Sequence, residues 1–492
     1  MKRASPALVP AIPIDRSSPA PLYRQLYDGF RSAILDRRLR AGERVPSTRT
    51  LAGELGISRL PIVNAFEQLV AEGYFESGVG SGTFVANVSA RTASTPGERR
   101  RRAAGSPRRK AVSRDSDFLR RGTDPWLGGR GAFRVSQPAL DRFPFPVWAR
   151  LVGRHAREMR GVPARLSYGD PMGDRAFREA VATYLRRARS VRCEADQIMV
   201  VAGSQQALDL TARVLLDPGS EVWVEEPGYL GVRDVLRLRG AELVPVPVDS
   251  EGLNVAAGVE RSRRARAAYV TPSHEYPLGM TMTLSRRLEL LDWARRSGAW
   301  IIEDDYDSEY RYESLPIASL QGLDRDSRVI YIGTFSKVLF PALRVGYIVV
   351  PEDLVSRFAA VRAVSDDFPP LFVQSVLAEF LSGGHFARHV RRMRALYRER
   401  RSALVEAIEE ELGDSLSVVG GEAGMHLVAV LRKRGKDHEW SLRAARAGVW
   451  AMPLSSCYFG KATRQGFVLG FSGTDVPEIR AGVRGLKTVM GR

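Results

Sequence analysis

Lys337 stands in the string "YIGTFSKVLFPALRVGY", residues 331 to 347, and is one of only seven lysines among the 74 lysines and arginines of the chain. Arginine keeps its proton at neutral pH, whereas a lysine that is desolvated or set beside another cation can lose its proton and act as a nucleophile. Where arginine is the default choice, a retained lysine points to a need for a reactive amine. Arg344 follows seven residues later. In "WIIEDDYDSEY" an apolar run ends on Glu303, Asp304, Asp305 and Tyr306, a concentration of acid suited to a positive nitrogen. In "VVAGSQQALDLTARVLL", Gly203, Ser204 and Gln205 join a strand-like run to a helical one, where free amides favour a phosphate. Each group alone has a plain reading, since helices often begin with serine and an acidic run can be a solvated loop. Together, a phosphate cradle, an acid for a ring nitrogen, a phenol and an amine are what pyridoxal phosphate requires. An acid beside the ring nitrogen keeps it protonated, and the amine attacks an aldehyde only while neutral.

The elements that must hold these groups follow from pattern. From about residue 126 onward, apolar runs such as "EVWVEE", "AAYVTPS", "AWIIEDD", "RVIYIGTFS" and "RVGYIVV" alternate with helical stretches. Continuous apolar strands between amphipathic helices predict a mostly parallel sheet covered on both faces. Ligands of such sheets collect beyond the carboxyl ends of the strands, where the acids, the amine and the Gly-Ser turn all fall.

Upstream the chain reads differently. Leu22, Leu26, Phe30, Ala33, Ile34 and Leu39 recur at helical spacing, predicting one amphipathic helix. Leu51, Ala52 and Leu55 face inward on a short helix closed by Gly56. Ser58 then caps a second helix whose apolar face is Ile62, Val63, Phe66, Leu69 and Val70, ending at Gly73. Two short helices across a tight glycine turn are the arrangement in which the second enters a major groove. "YFESGVGSGTFVA" predicts a hairpin wing. Residues 88–125 are polar and arginine-rich with few large apolar side chains, predicting a flexible basic linker. The expected order is an N-terminal arm (1–19), a helical reading head (20–87), the linker (88–125) and a large α/β domain (126–492).

A length of 492 residues exceeds what one core usually organises. Net charge is +18, which favours a polyanion such as double-stranded DNA as partner. Two distant cysteines, Cys193 and Cys457, exclude a disulfide framework and a zinc cluster, and no metal is expected. No signal-peptide core and no long uncharged apolar stretch is present, so a soluble, cytoplasmic protein without membrane attachment is expected.

The strings "PSTRTLA", "LGISR" and "EGYFES" followed by "GSGTFV" resemble the winged helix-turn-helix of GntR-type bacterial regulators. The resemblance implies DNA contacts by Arg49, Ser58 and Arg59, and by a wing carrying Gly80 and Gly82. The chain departs from the family at Leu60 and Pro61, where a small polar residue or asparagine and then threonine are usual. A proline is tolerated in a first helical turn.

Residues 126–492 resemble a fold-type I pyridoxal-phosphate-dependent aminotransferase, and its fusion to a GntR head resembles the MocR-type regulators. The resemblance implies a mostly parallel sheet with a smaller C-terminal α+β part. It also implies that Lys337 forms the internal aldimine, Asp304 pairs with the pyridinium nitrogen and Tyr306 bonds the phenolic oxygen. Tyr229 of "EEPGY" would stack on the ring; Ser204, Gln205, Thr334, Ser336 and Arg344 would surround the phosphate; His274 of "TPSHEYPLG" would orient its neighbours beneath it. Transaminases of ordinary amino acids hold the substrate carboxylate with an arginine in a string like "RLGF", where this chain reads "GFVLGFS" with Val468. That favours a sensor over a working enzyme: a DNA-binding regulator, expected as a homodimer with each head resting on the other subunit, whose large domain responds to pyridoxal phosphate or to an amine or amino acid. The alternative is an active aminotransferase carrying a DNA-binding head.

Overall fold

The computed structural model describes residues 12–78, 82–87, 126, 131–162, 166–312 and 317–491. The chain divides into two compact units, Met1–Ala111 and Val112–Arg492. The expected linker, residues 88–125, lies outside the described residues, as does Gly80.

In the first unit, helix α1 (Leu22–Leu35) buries Leu26, Phe30, Ala33 and Ile34, while Leu39, expected on the same helix, is buried just beyond its end. Helix α2 (Thr48–Leu55) is closed by Gly56 at φ 60°, a left-handed cap that glycine adopts without a Cβ clash. The side chain of Ser47 caps its start by accepting from the Thr50 amide. Helix α3 (Arg59–Ala71) begins after Ser58, as expected, but the Ser58 side chain makes no capping hydrogen bond. Phe30 of α1, Phe66 of α3 and Phe75 pack edge to face with ring centroids 5.1 to 5.4 Å apart, and this triad fixes the helices on the wing. The wing is β2 (Phe75–Gly78) with β3 (Gly82–Val85), joined by a short strand β1 (Arg44–Val45) that sequence reasoning missed; two residues are too few to show a period. The expected arm is partly built in: Ile12 is buried, and Arg16 donates to the carbonyls of Leu55 and Gly56, completing the C-terminus of α2.

The second unit is built on an 8-stranded sheet. Its strands are β4 (Ile198–Val201), β5 (Glu221–Glu226), β6 (Glu242–Asp249), β7 (Gly252–Leu253), β8 (Ala267–Val270), β9 (Trp300–Asp305), β10 (Val329–Thr334) and β11 (Gly346–Val349). The spatial order is β4-β11-β10-β9-β8-β5-β6-β7. The central run β10-β9-β8-β5-β6 is parallel. β11, the "RVGYIVV" run, and β7 pair antiparallel, so the sheet is mostly but not wholly parallel.

Both faces are covered. Ile330 and Ile332 of β10 join a core with the helices Ser204–Leu215 and Val355–Asp366, while Tyr331 on the other face packs toward Arg175–Ala188 and His385–Leu412. Burial on both sides is why these strands read as unbroken apolar runs instead of alternating ones. A second sheet near the C-terminus, β12 (Leu416–Val419), β13 (His426–Leu431), β14 (Met452–Pro453) and β15 (Gly466–Gly470), is antiparallel in the order β12-β13-β15-β14. It forms the smaller α+β part with Val476–Met490. Among the described residues no helix is long and apolar enough to cross a membrane.

Candidate cofactor cavity and nucleic-acid interface

Parallel register brings the ends of β9 and β10 side by side, Ile332 opposite Asp304 and Gly333 opposite Asp305. Beyond those ends lies a cavity of about 630 Å³. Ser204, Gln205, Tyr229, Asp304, Tyr306, Thr334, Ser336, Lys337 and Arg344 all line it, so every expected cofactor residue but one meets in a single space. The exception is His274, which is buried behind Tyr306 and does not reach the cavity. A larger cleft, about 1120 Å³, between the helices Phe145–Met159, Arg175–Ala188, Leu371–Ser382 and His385–Leu412 holds none of them.

The acidic run separates into distinct roles. Glu303 accepts the amides of Leu320 and Gln321 at 2.8 Å each. Asp305 is paired with the buried Arg189 at 2.7 Å. Asp304 remains: its Oδ2 accepts the Tyr269 hydroxyl at 2.9 Å, while its Oδ1 is buried without a partner. A buried carboxylate oxygen with no donor is costly, and burial, reinforced by Asp305, lifts the Asp304 carboxyl to about 7. An incoming protonated ring nitrogen would satisfy that oxygen.

Lys337 follows β10. Burial first of all, with Arg344 and Arg134 adding repulsion, brings its ammonium down to about 8, against the opposing pull of Asp307 and Asp304. About a tenth of the amine is therefore neutral at pH 7 and about half at pH 8, which is the condition the amine needs to react.

Tyr306 is held from behind. Its hydroxyl lies 3.1 Å from His274 Nδ1, and the same nitrogen lies 2.9 Å from Asp307 Oδ1. In the tautomer with the proton on Nδ1, that nitrogen donates to the Asp307 carboxylate, and the Tyr306 oxygen can only accept from that side. The Tyr306 proton is then free to point into the cavity. Nε2 of His274, buried without a partner, is in this tautomer a bare lone pair and not an orphaned donor.

Another group of the lining residues suits a phosphate. Ser204 begins the helix Ser204–Leu215, and Gly203 before it has φ 99°. A Cβ on Gly203 would come within 3.4 Å of the Arg344 guanidinium, so the glycine leaves the cradle open. The Ser336 amide donates to Thr334 Oγ1 at 3.2 Å, and the Ser336 hydroxyl is buried with no partner. Gln205 holds Tyr229 through a 3.1 Å bond to its hydroxyl. The Tyr229 ring meets Tyr276 edge to face at 5.8 Å. Orphaned acceptor, orphaned hydroxyl, shifted amine and glycine-cleared cradle fit pyridoxal phosphate, whose ring, bound here, supplies an electron sink.

Several cavity residues were missed by sequence reasoning. Tyr269, Thr271 and Tyr276 come from β8 and the following loop, and Arg134, Trp126 and Met452 from distant segments. Tyr269 left one signal, a polar-tipped side chain inside the buried strand "AAYV". Thr271 and Tyr276 lie in "TPSHEYPLG", where only His274 was singled out, and Arg134, Trp126 and Met452 left no signal because their approach depends on long-range packing. Val468 is fully buried in β15 in an apolar cluster with Trp126, Tyr276, Met452 and Cys457. Arg233 lines the cavity and lies 3.4 Å from Asp234.

In the first unit, Arg49, Ser58 and Arg59 are all exposed. Arg59 Nε donates to Thr48 Oγ1 at 2.9 Å, tying the start of α3 to the start of α2. Gly82 has φ 105°, and a Cβ there would meet the Arg44 guanidinium at 3.0 Å, which places an unforeseen arginine on the wing.

The family described as "Bacterial regulatory proteins, gntR family" matches residues 22–85, and "Aminotransferase class I and II" matches residues 136–470. "Probable rhizopine catabolism regulatory protein MocR" of Rhizobium meliloti is 41% identical over 475 residues, covering 96% of this chain and 95% of that protein. The chain belongs to the MocR-type regulators of the GntR family. Another relative, "HTH-type pyridoxine biosynthesis transcriptional regulator PdxR" of Corynebacterium glutamicum, is 31% identical over 474 residues, covering 95% of this chain and 96% of that one. Among solved structures, the α-aminoadipate aminotransferase LysN of Thermus thermophilus, complexed with N-(5'-phosphopyridoxyl)-L-leucine, has a TM-score of 0.71 at 28% identity, covering 77% of this chain and 97% of that one. As a MocR-type regulator the chain is a transcription regulator with a GntR head and an aminotransferase-like domain of fold type I.

Proposed function

We propose that this regulator holds pyridoxal phosphate covalently on Lys337 and transmits the state of that cavity to the DNA-reading head. In this reading Asp304 holds the ring nitrogen, Tyr306 the phenolic oxygen, Tyr229 the ring face, and Ser204, Gln205, Thr334, Ser336 and Arg344 the phosphate. One observation carries it: the depressed amine of Lys337 and the unpartnered oxygen of Asp304 share one cavity with Arg344. The apolar seal around Val468 places no guanidinium at that point, which favours sensing over turnover of ordinary amino acids. The names of the two relatives set out the two effector readings, the vitamin pathway of the cofactor itself or a compound from a catabolic route. Arg134, Tyr276 and Met452 line the same cavity, and a second ligand would lie against them.

A homodimer in the cytoplasm is part of the proposal. Leu166, Tyr168 and Val364 are at least 71% exposed, and large apolar side chains left in water suit a subunit contact. A ligand alters DNA affinity only by binding two arrangements of the protein unequally. The test is the visible absorption of the purified chain with and without pyridoxal phosphate, repeated for Lys337→Ala. A band present in the parent and lost in the variant supports the site, and no band in either removes it. Keto acid released on adding amino acids would favour the enzyme reading instead.

A further inference from the structure

The first turn of α3 carries a residue that no part of the fold uses. Leu60 is 67% exposed, between the exposed Arg59 and the proline at 61. Exposed single leucines are ordinary on protein surfaces. This one sits where the residues of a groove-entering helix meet base edges.

Polar groups on that turn are few. Arg59 has its Nε committed to Thr48, leaving its terminal N–H groups for guanine or phosphate. Pro61 supplies no N–H. Asn64, one turn along from Leu60, is exposed and shares its face. The Leu60 side chain can neither donate nor accept, so setting it against a phosphate or a keto or amino edge would strip water from that group and return no hydrogen bond. The major groove displays one apolar group, the 5-methyl of thymine.

We propose that Leu60 is a specificity-determining residue that reads a thymine through its 5-methyl group. The DNA site preferred by this chain therefore carries a T·A pair beneath the first turn of α3. The inference rests on α3 being the helix that enters the groove.

The experiment selects duplexes from a random library with the full-length, cofactor-loaded chain and with Leu60→Ala. Each invariant thymine of the parent's site is then replaced singly by deoxyuridine, which removes the methyl and leaves every hydrogen-bonding group. At one thymine the parent should lose about fourfold in affinity, the worth of one buried methyl. Leu60→Ala should not distinguish thymine from uracil there, and Leu60→Met should restore part of the discrimination. Because Leu60 is exposed, these variants leave the buried face of α3 intact. Equal affinity for thymine and uracil at every invariant position, or the same thymine preference in Leu60→Ala, would overturn the proposal. Selection of no preferred sequence by parent or variant would overturn it together with the placement of α3 in the groove, a result distinct from loss of the methyl effect alone.

Discussion

The two units keep their working groups in opposite conditions. In the first, Arg49, Ser58 and Arg59 lie in water on two short helices, and what surrounds them is a small core whose task is to hold α2 and α3 at a fixed angle. In the second, Lys337 and Asp304 are enclosed at strand ends, and enclosure is what gives them their chemistry: burial lowers the amine to about 8 and raises the acid to about 7. An exposed cation suits a polyanion because it keeps its charge and meets phosphate by diffusion. A desolvated amine suits an aldehyde because part of it is neutral. The contrast fits the proposed division, in which one unit reads DNA and the other carries the covalent chemistry.

Exchange of single residues breaks the comparison most severely. Lys337→Ala should abolish covalent attachment of pyridoxal phosphate, read as a missing mass increment after borohydride reduction, while ligand-free DNA affinity is kept. Arg59→Ala should do the reverse, weakening specific DNA binding by about 10- to 100-fold with cofactor attachment unchanged. Asp304→Asn sharpens the second half. It should lower cofactor affinity by about tenfold through loss of the charged partner, with Lys337 still reactive, measured by equilibrium titration of absorbance. The smallest effect is in pH. A folded-state lysine of about 8 is mostly protonated at pH 7 and mostly neutral at pH 9, so the rate of cofactor attachment to ligand-free protein should rise through that window and then level off. A rate still climbing steeply above pH 10 would show that Lys337 is not desolvated.

The units also differ in how much of them sequence could reveal. The head is local: Gly56, Ser58 and the apolar face of α3 fall within a few turns of one another, so period and punctuation suffice. The cavity is assembled from strand ends far apart in the chain. Lys337, Asp304 and Ser204 could be named because each ends an apolar run, and the order of the sheet then brings them together. Charge and pattern alone do not choose among the acids of "EDDYD"; the resemblance implied Asp304, and the packing gives the physical reason, with Arg189 taking Asp305 and the turn at Leu320 taking Glu303. Tyr269 and Arg134 could not be placed, and neither could the position of His274 behind Tyr306 instead of in the cavity wall, because these are facts of packing between segments distant in sequence. The antiparallel sense of β11 was likewise invisible, because burial on both faces gives the same apolar run in either direction.

The most direct test of the account is DNA affinity measured at fixed salt for the full-length chain with and without pyridoxal phosphate, beside Lys337→Ala under the same conditions. The account predicts a change of about fivefold or more in the parent, in either direction, and none in the variant. Identical affinity with and without the cofactor, in a parent shown by absorbance to carry it, would contradict the claim that the cavity governs the head.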